Sequence, residues 1–259
     1  MTAERWVDIA ASGRVATVTL DRPSRSNAMD EEMTAALADA LHDVSQREHV
    51  AAIVLTGAGG SFSAGGDFAT IREMQDDRAL RERILRAHRD LFWAMLHLPV
   101  PIVAGVQGPA VGAGCTIALL CDLTVMASDA FLSDPRVALG ILDGAGGLVL
   151  WPLLTSLAAS REHLLLGDRV PATEAHRLGL INRVVPRADV AAEARGLADR
   201  LAALPAHSAL AARQLLNLHV ERAAVMLDAC SDAELACFDH PELTNRLDAL
   251  EAKITRPTA

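Results

Sequence analysis

Ser61-Phe62-Ser63-Ala64-Gly65-Gly66-Asp67-Phe68 and Gly105-Val106-Gln107-Gly108-Pro109-Ala110-Val111-Gly112-Ala113-Gly114-Cys115 are the most informative stretches of the chain, two turns rich in glycine and alanine. Each follows a short apolar run, Ala51-Ala52-Ile53-Val54-Leu55-Thr56 and Pro101-Ile102-Val103-Ala104-Gly105-Val106, and each leads toward a helix. Runs of this length and β-branching read as buried strands, so both turns fall at the carboxyl ends of strands, where α/β sheets place their sites. A helix start leaves its first amide hydrogens without intrahelical acceptors and carries partial positive charge. Two such starts facing one another form an oxyanion hole, able to hold an oxygen that becomes negative during a reaction. Either turn alone reads more readily as tight packing, since glycine is the default wherever φ must be positive. The pair carries the argument.

Outward from the turns, the chain is strand-rich in front and helical behind. Val7-Asp8-Ile9-Ala10 and Val15-Ala16-Thr17-Val18-Thr19-Leu20, separated by Ser12-Gly13-Arg14, predict a hairpin. Asp30 is expected to cap a helix running to about Gln46. The charged segment from Arg72 to Arg83 reads as a solvated face or a mobile loop, able to act as a flap beside a site. Leu91 to Leu98 continues a helix that stops before Pro99 and Pro101. Beyond Asp189, four helices are expected: Val190 to Leu204, His207 to His219, Ala223 to Phe238 and Pro241 to Lys253. No internal repeat or flexible linker interrupts the chain. Residues 1–188 are read as the core and 189–259 as a helical region that packs on it or on a neighbouring subunit, because an amphipathic helix must bury its apolar stripe.

Composition sets the bounds. A chain of 259 residues, 51% hydrophobic, can bury one sizeable core. Its net charge of −9 opposes a nucleic-acid role, which ordinarily shows a basic face. Cys115, Cys121, Cys230 and Cys237 lack metal-ligand spacing with histidines and read as small buried residues of a reducing compartment. No metal site is expected. The first twenty residues alternate and carry charges, which suits neither a signal peptide nor a membrane span, so a cytoplasmic location is expected.

Six segments in order resemble the crotonase superfamily, the enoyl-CoA hydratase/isomerase family. They run from Asp21-Arg22-Pro23-Ser24-Arg25-Ser26-Asn27-Ala28-Met29, through Phe62-Ser63-Ala64-Gly65-Gly66-Asp67 and Ala110-Val111-Gly112-Ala113-Gly114-Cys115, to Cys121-Asp122-Leu123 and Leu139-Gly140 with Gly144-Ala145-Gly146-Gly147. Leu166-Gly167-Asp168-Arg169-Val170 with Ala172-Thr173-Glu174-Ala175, and Gly179-Leu180-Ile181-Asn182-Arg183-Val184-Val185, fit the same family, so the resemblance spans nearly the whole chain. It implies an α/β fold of the ClpP/crotonase type, a spiral of ββα units with a C-terminal helical region, assembled as a homotrimer or hexamer. It implies an acyl-CoA thioester as ligand, with coenzyme A entering as part of the substrate and no separate cofactor. The oxyanion amides would be those of Gly66 and Ala113. Arg25 and Ala28 would approach the nucleotide and pantetheine, and Ala64, Asp67 and Phe68 would line the adenine side.

The departures from the family pattern bear most on function. Hydratases of the family carry one glutamate in the helix after the second turn and another in the following strand, where two carboxylates position and activate water. This chain has Thr116 and Arg136 there. Arginine stays protonated and threonine is a poor base unaided, so two-glutamate hydration is in doubt. Asp143 is the candidate acid–base group, with a loop cap as its alternative role. Asp134 and Arg136 are expected to pair on one face of an extended strand. Trp151-Pro152 is reminiscent of a hydratase-like branch with histidine at position 136 and aspartate at position 145, here Arg136 and Ala145. His88 and His97 can approach from the helix, Ile71 and Met74 can line an acyl pocket, and Asp122 reads as a structural hydrogen-bonding residue. Two readings stay open: an acyl-CoA enzyme, including an isomerase or C–C hydrolase, or an acyl-CoA-binding carrier or sensor without hydration chemistry.

Overall fold

The hairpin forms as its alternation predicts. In the computed structural model, which describes residues 6–254, β1 (Val7–Ser12) pairs antiparallel with β2 (Val15–Leu20). The first five residues of the N-terminal stretch and the last five of the C-terminal region lie outside the described residues. Asp30 caps α1 (Glu31–Ser45), its side chain accepting from the Met33 amide at 2.8 Å, with Glu31 and Glu32 in the first turn favouring the helix dipole. The apolar runs before the two turns become β3 (Ala52–Gly57) and β4 (Ile102–Val106), parallel neighbours buried on both faces.

Between them the charged segment is ordered, a correction to the loop or flap expected from its charge. It forms α2 (Phe68–Asp76) and the first turns of α3 (Arg78–Leu96). Asp77 ends one helix and caps the next, accepting from the Leu80 amide at 3.0 Å. Arg81 is buried and holds the Met74 and Gln75 carbonyls and Asp239, so the charges serve packing as well as solvent.

After β5 (Ala110–Val111) comes α4 (Ala113–Leu120), buried throughout. Then follow β6 (Leu123–Ala127), β7 (Phe131–Ser133) and α5 (Arg136–Leu139). The extended strand expected at 134–136 is not formed. Pro135 has no N–H for a ladder and occupies the cap position, so Arg136 opens a helical turn instead. Helices α6 (Gly147–Leu154) and α7 (Leu157–Leu166), strand β8 (Val170–Pro171), α8 (Ala172–Leu178) and β9 (Arg183–Val185) complete the core. One sheet has the order β1-β2-β3-β4-β6-β9 and a smaller one β5-β7-β8.

The helical tail comprises α9 (Val190–Ala202), α10 (Ala206–Ala223), α11 (Leu227–Cys237) and α12 (Glu242–Ile254). Its first helix belongs to the main core: Val190, Ala194, Leu197 and Ala198 are buried in it, and Ala194 packs against Gly105 of β4. The last two helices build a second apolar cluster in which Phe238, Leu243 and Leu247 meet Met74, Ile84 and Ile141. This cluster closes the region beside the two turns.

Candidate active site

Asn27 begins the site. It is fully buried in left-handed backbone (φ 54°), and its amide donates to the Ala58 and Ser61 carbonyls at 2.9 Å while its oxygen accepts from the Arg22 amide at 2.9 Å. Asparagine tolerates that backbone region better than most residues. The loop 22–28 is thereby tied to the first glycine turn. Ser63 adds a hydroxyl that donates to the Asn27 carbonyl at 2.7 Å.

The two turns are knitted together by backbone. Phe62 N–H and Ser63 N–H donate to the Pro109 carbonyl at 3.0 and 3.2 Å, and Val111 N–H donates to the Ser63 carbonyl at 2.9 Å. Gly65 must be glycine for this approach: its φ is 85°, and a β-carbon would stand 2.5 Å from the Val111 oxygen and 3.5 Å from the Ala113 nitrogen. The turns therefore touch at the start of α4. Gly66 N–H and Ala113 N–H have no acceptor among the described residues, whereas the Gly65, Asp67 and Gly112 amides beside them are paired.

Both residues line a cavity of about 660 Å³. Its apolar wall includes Met29, Ile71, Met74, Ile84, Ile141, Phe238 and Leu247, so Ile71 and Met74 stand in the cavity wall as read from the sequence. Arg25, Ala28, Ala64, Asp67 and Phe68 all line it. Arg25 is half exposed and donates to Asp67 at 3.1 Å; Asp67 is buried, caps α2 through the Ala69 amide at 3.0 Å and faces Arg22 at 3.6 Å.

Of the residues proposed for proton chemistry, Arg136 lines the cavity and Thr116 and Asp143 are not among its lining residues. Thr116 and Arg136 touch: the guanidinium donates to the threonine oxygen at 3.3 Å, and that hydroxyl donates to the Gly112 carbonyl at 3.3 Å. Arg136 also grips Asp134 through two nitrogens, at 2.7 and 2.5 Å, and Asp143 through a third at 2.6 Å. Burial opposes its charge, but the two aspartates outweigh burial and hold its pKa above the ordinary arginine value. Asp143 accepts from the Ala145 and Leu148 amides, both at 2.8 Å, the contacts of a loop cap. Burial pushes its carboxyl up and Arg136 draws it back, leaving it above the usual aspartate value.

His88 lines the cavity with Nε2 buried and without a hydrogen-bond partner. Burial, reinforced by Arg136, lowers its pKa to about 4, so the ring is neutral near pH 7. His97 faces elsewhere, paired with Glu221 at 3.1 Å. Asp122 has the structural role read from sequence, accepting from the Ile102 amide and Arg213, both at 2.8 Å. The four cysteines are free, three buried and Cys237 half-buried. Among the described residues no group of three side chains could hold a metal ion, and no helix is long and apolar enough to cross a membrane.

Glu234, which the sequence reading missed, lines the same cavity from α11. Its Oε2 accepts from the Gly144 amide at 2.6 Å, and burial raises its pKa to about 8. A signal was present. Leu227, Cys230, Glu234 and Phe238 recur at helical spacing and are all buried, so the acid interrupts an apolar stripe.

Comparison with known proteins gives the family and the fold. The family described as "Enoyl-CoA hydratase/isomerase" matches residues 10–247, and the chain belongs to that family. It is 38% identical over 191 residues to a putative enoyl-CoA hydratase of Thermus thermophilus, covering 73% of this chain and 75% of that one. It is 28% identical over 266 residues to a 4-chlorobenzoyl coenzyme A dehalogenase of an Arthrobacter species, covering 99% of this chain and 94% of the relative. A crystal structure of an enoyl-CoA hydratase/isomerase from Mycobacterium paratuberculosis superposes with a TM-score of 0.90 at 34% identity, covering 96% of this chain and all of that one. The fold is the crotonase fold.

Proposed function

We propose that the protein is an acyl-CoA thioester-processing enzyme that stabilises a thioester enolate, with the carbonyl oxygen held by the Gly66 and Ala113 amides. One observation carries the reading. Two backbone donors without protein acceptors, from turns in van der Waals contact, face one cavity whose wall is otherwise largely apolar. Removing a proton beside the thioester carbonyl, or adding a nucleophile to a conjugated double bond, places negative charge on that oxygen. Donors fixed in advance stabilise that charge without reorganising. Arg25 is partly exposed in the cavity lining, where a cation suits the phosphates of coenzyme A, which enters as part of the substrate. The acyl chain occupies the wall of Ile71, Met74, Ile84 and Phe238.

Hydration by paired carboxylates at positions 116 and 136 has no support here, because those positions form a threonine–arginine contact backed by Asp134. The named relatives differ in reaction, which fits a shared enolate-stabilising frame carrying different proton-transfer groups. The test is mass spectrometry of products after incubating the purified protein with saturated and unsaturated acyl-CoA thioesters. A hydrated, rearranged or cleaved thioester is expected. Unchanged thioesters that nevertheless bind saturably would favour a carrier, and absence of binding would overturn the reading.

A homotrimer or a pair of trimers is proposed on the same footing. Of the eighteen residues of α10 only Arg213 is buried, leaving Leu215, Leu216 and Leu218 exposed. An apolar helix face of that kind favours burial against another subunit.

A further inference from the structure

We infer that Glu234 is the proton-transfer residue of this site, removing a proton from the bound acyl chain as a carboxylate and returning it as a carboxylic acid. The inference deepens the acyl-CoA reading above and rests on it.

The geometry singles out this side chain. Glu234 is 7% exposed and shares a cavity with Gly66 and Ala113. Its Oε2 is fixed by the Gly144 amide, while no hydrogen bond among the described residues engages Oε1. A carboxyl anchored through one oxygen keeps the other for substrate. Asp143, by contrast, spends one oxygen on the Ala145 amide and Arg136 and the other on the Leu148 amide.

Charge counting leads to the same residue. Among the described residues Arg136 is the one guanidinium bonded within the cluster of Asp134, Asp143 and Glu234, and its direct ion pairs go to the two aspartates. Glu234 has no direct ion pair of its own in the cluster. Burial accordingly raises its pKa to about 8, Arg136 opposing and Asp143 and Asp134 adding to the rise. The other titratable groups around it are Cys230 and Cys237 on its own helix, with thiols pushed up by burial, and His88 near Arg136, which stays neutral. An acid with a pKa near the working pH is suited to both taking and giving a proton.

The step balances without a co-reactant. The carboxylate of Glu234 takes a proton from a carbon activated by the thioester, and the C–H electron pair moves into the enolate, whose oxygen is held by Gly66 and Ala113. The new carboxylic acid then returns the proton to the same carbon or to a conjugated one, and the carbonyl reforms. His88, neutral and with Nε2 unpaired, can hydrogen-bond in the cavity without competing for the proton.

The experiment measures deuterium uptake by hexanoyl-CoA and 3-hexenoyl-CoA in heavy water, with thioester affinity measured separately. Wild-type protein is expected to exchange, with a rate that rises with pH and levels off above about 8, where the carboxylate predominates. Glu234→Gln, which mimics the shape of the protonated acid, should bind both thioesters within a few-fold of wild type and lose exchange by about 100-fold or more. Glu234→Asp should restore part of it. Infrared spectroscopy of the unliganded protein supplies a reading independent of turnover: a protonated-carboxyl band that fades as pH rises through about 8 and is absent from Glu234→Gln. Exchange by Glu234→Gln at the wild-type rate overturns the inference. Binding without exchange by wild type also overturns it while leaving the acyl-CoA reading standing, whereas no binding by wild type removes both.

Discussion

A proline at position 113 would delete one donor with little disturbance elsewhere. Ala113 is the first residue of α4, the helical position that best accepts proline because its N–H has no intrahelical partner. Ala113→Pro should lower kcat/KM for a thioester by about 100- to 1,000-fold, while free coenzyme A binds as before; equal loss of coenzyme A binding would point to a collapsed turn instead. Removing Arg136 should act on stability. Arg136→Met leaves Asp134 and Asp143 buried without their cation, at an expected cost of about 3–5 kcal/mol in denaturant unfolding. Glu234 gives a signed pH dependence. Its folded pKa, about 8, lies above the ordinary glutamate value of 4.5, so its contribution is fully present below the unfolded pKa and is lost as pH rises through 8. Within that window stability should fall by about 1.4 kcal/mol per pH unit from this group. Glu234→Gln should flatten that part of the stability–pH curve, and an unchanged slope would reject the assignment. At this scale the sequence disclosed residues whose partners are nearby or whose motif is contiguous, such as Asp30 and the two turns. Local spacing marks Glu234 as an acid within a buried stripe but not its partner Gly144, ninety positions away, because spacing does not encode a contact made by tertiary folding.

Elements followed their local signals where burial and capping agreed. The hairpin, α1, β3, β4 and the tail helices that follow Pro205 and Pro241 are legible because hydrophobic period and breakers coincide, whereas the break expected between His219 and Ala223 falls at Ala224–Met226, α10 running through Ala223 because no breaker residue stands before it. The strands β5, β7 and β8 are two or three residues long, too short to show a period, and exist because the turns and α5 bring them together. The Arg72–Arg83 segment keeps the solvated face read from its charge, with Glu73, Asp76, Asp77, Arg78, Glu82 and Arg83 exposed, but it is helical rather than a loop, because Met74 and Ile84 pack on the last two helices and Arg81 pairs with Asp239. One long-range anchor locks the tail. Arg213 of α10 is buried, pairs with Asp122 and donates to the carbonyls of Met95, Leu96 and Leu98 at the end of α3. Arg213→Ala takes the cation from Asp122 and leaves the Leu98 carbonyl without its donor, while Leu96 keeps the Asn217 amide and Met95 its backbone donor, so a loss of about 3 kcal/mol is expected in chemical denaturation. A loss below about 1 kcal/mol, the scale of an exposed ion pair, would mean the anchor is solvated.

For the molecule as a whole, the proposed assembly turns on the balance of charge and exposed apolar surface. A net charge of −9 favours solubility, yet α10 leaves its leucines uncovered and α7 exposes Leu157, Leu165 and Leu166. Sedimentation should give the mass of a trimer or its multiple, and Leu215→Glu with Leu216→Glu should reduce it; a wild-type monomer would rule the assembly out. The proposed enolate oxygen meets the amides of Gly66 and Ala113, which have no acceptor among the described residues. The most direct measurement is difference infrared spectroscopy of a thioester labelled with carbon-13 at its carbonyl, bound to wild type and to Ala113→Pro. Polarisation by the Gly66 and Ala113 amides predicts a carbonyl band moved to lower frequency in wild type and partly restored toward the free value in the variant. A bound carbonyl band at the frequency of the free thioester would contradict it.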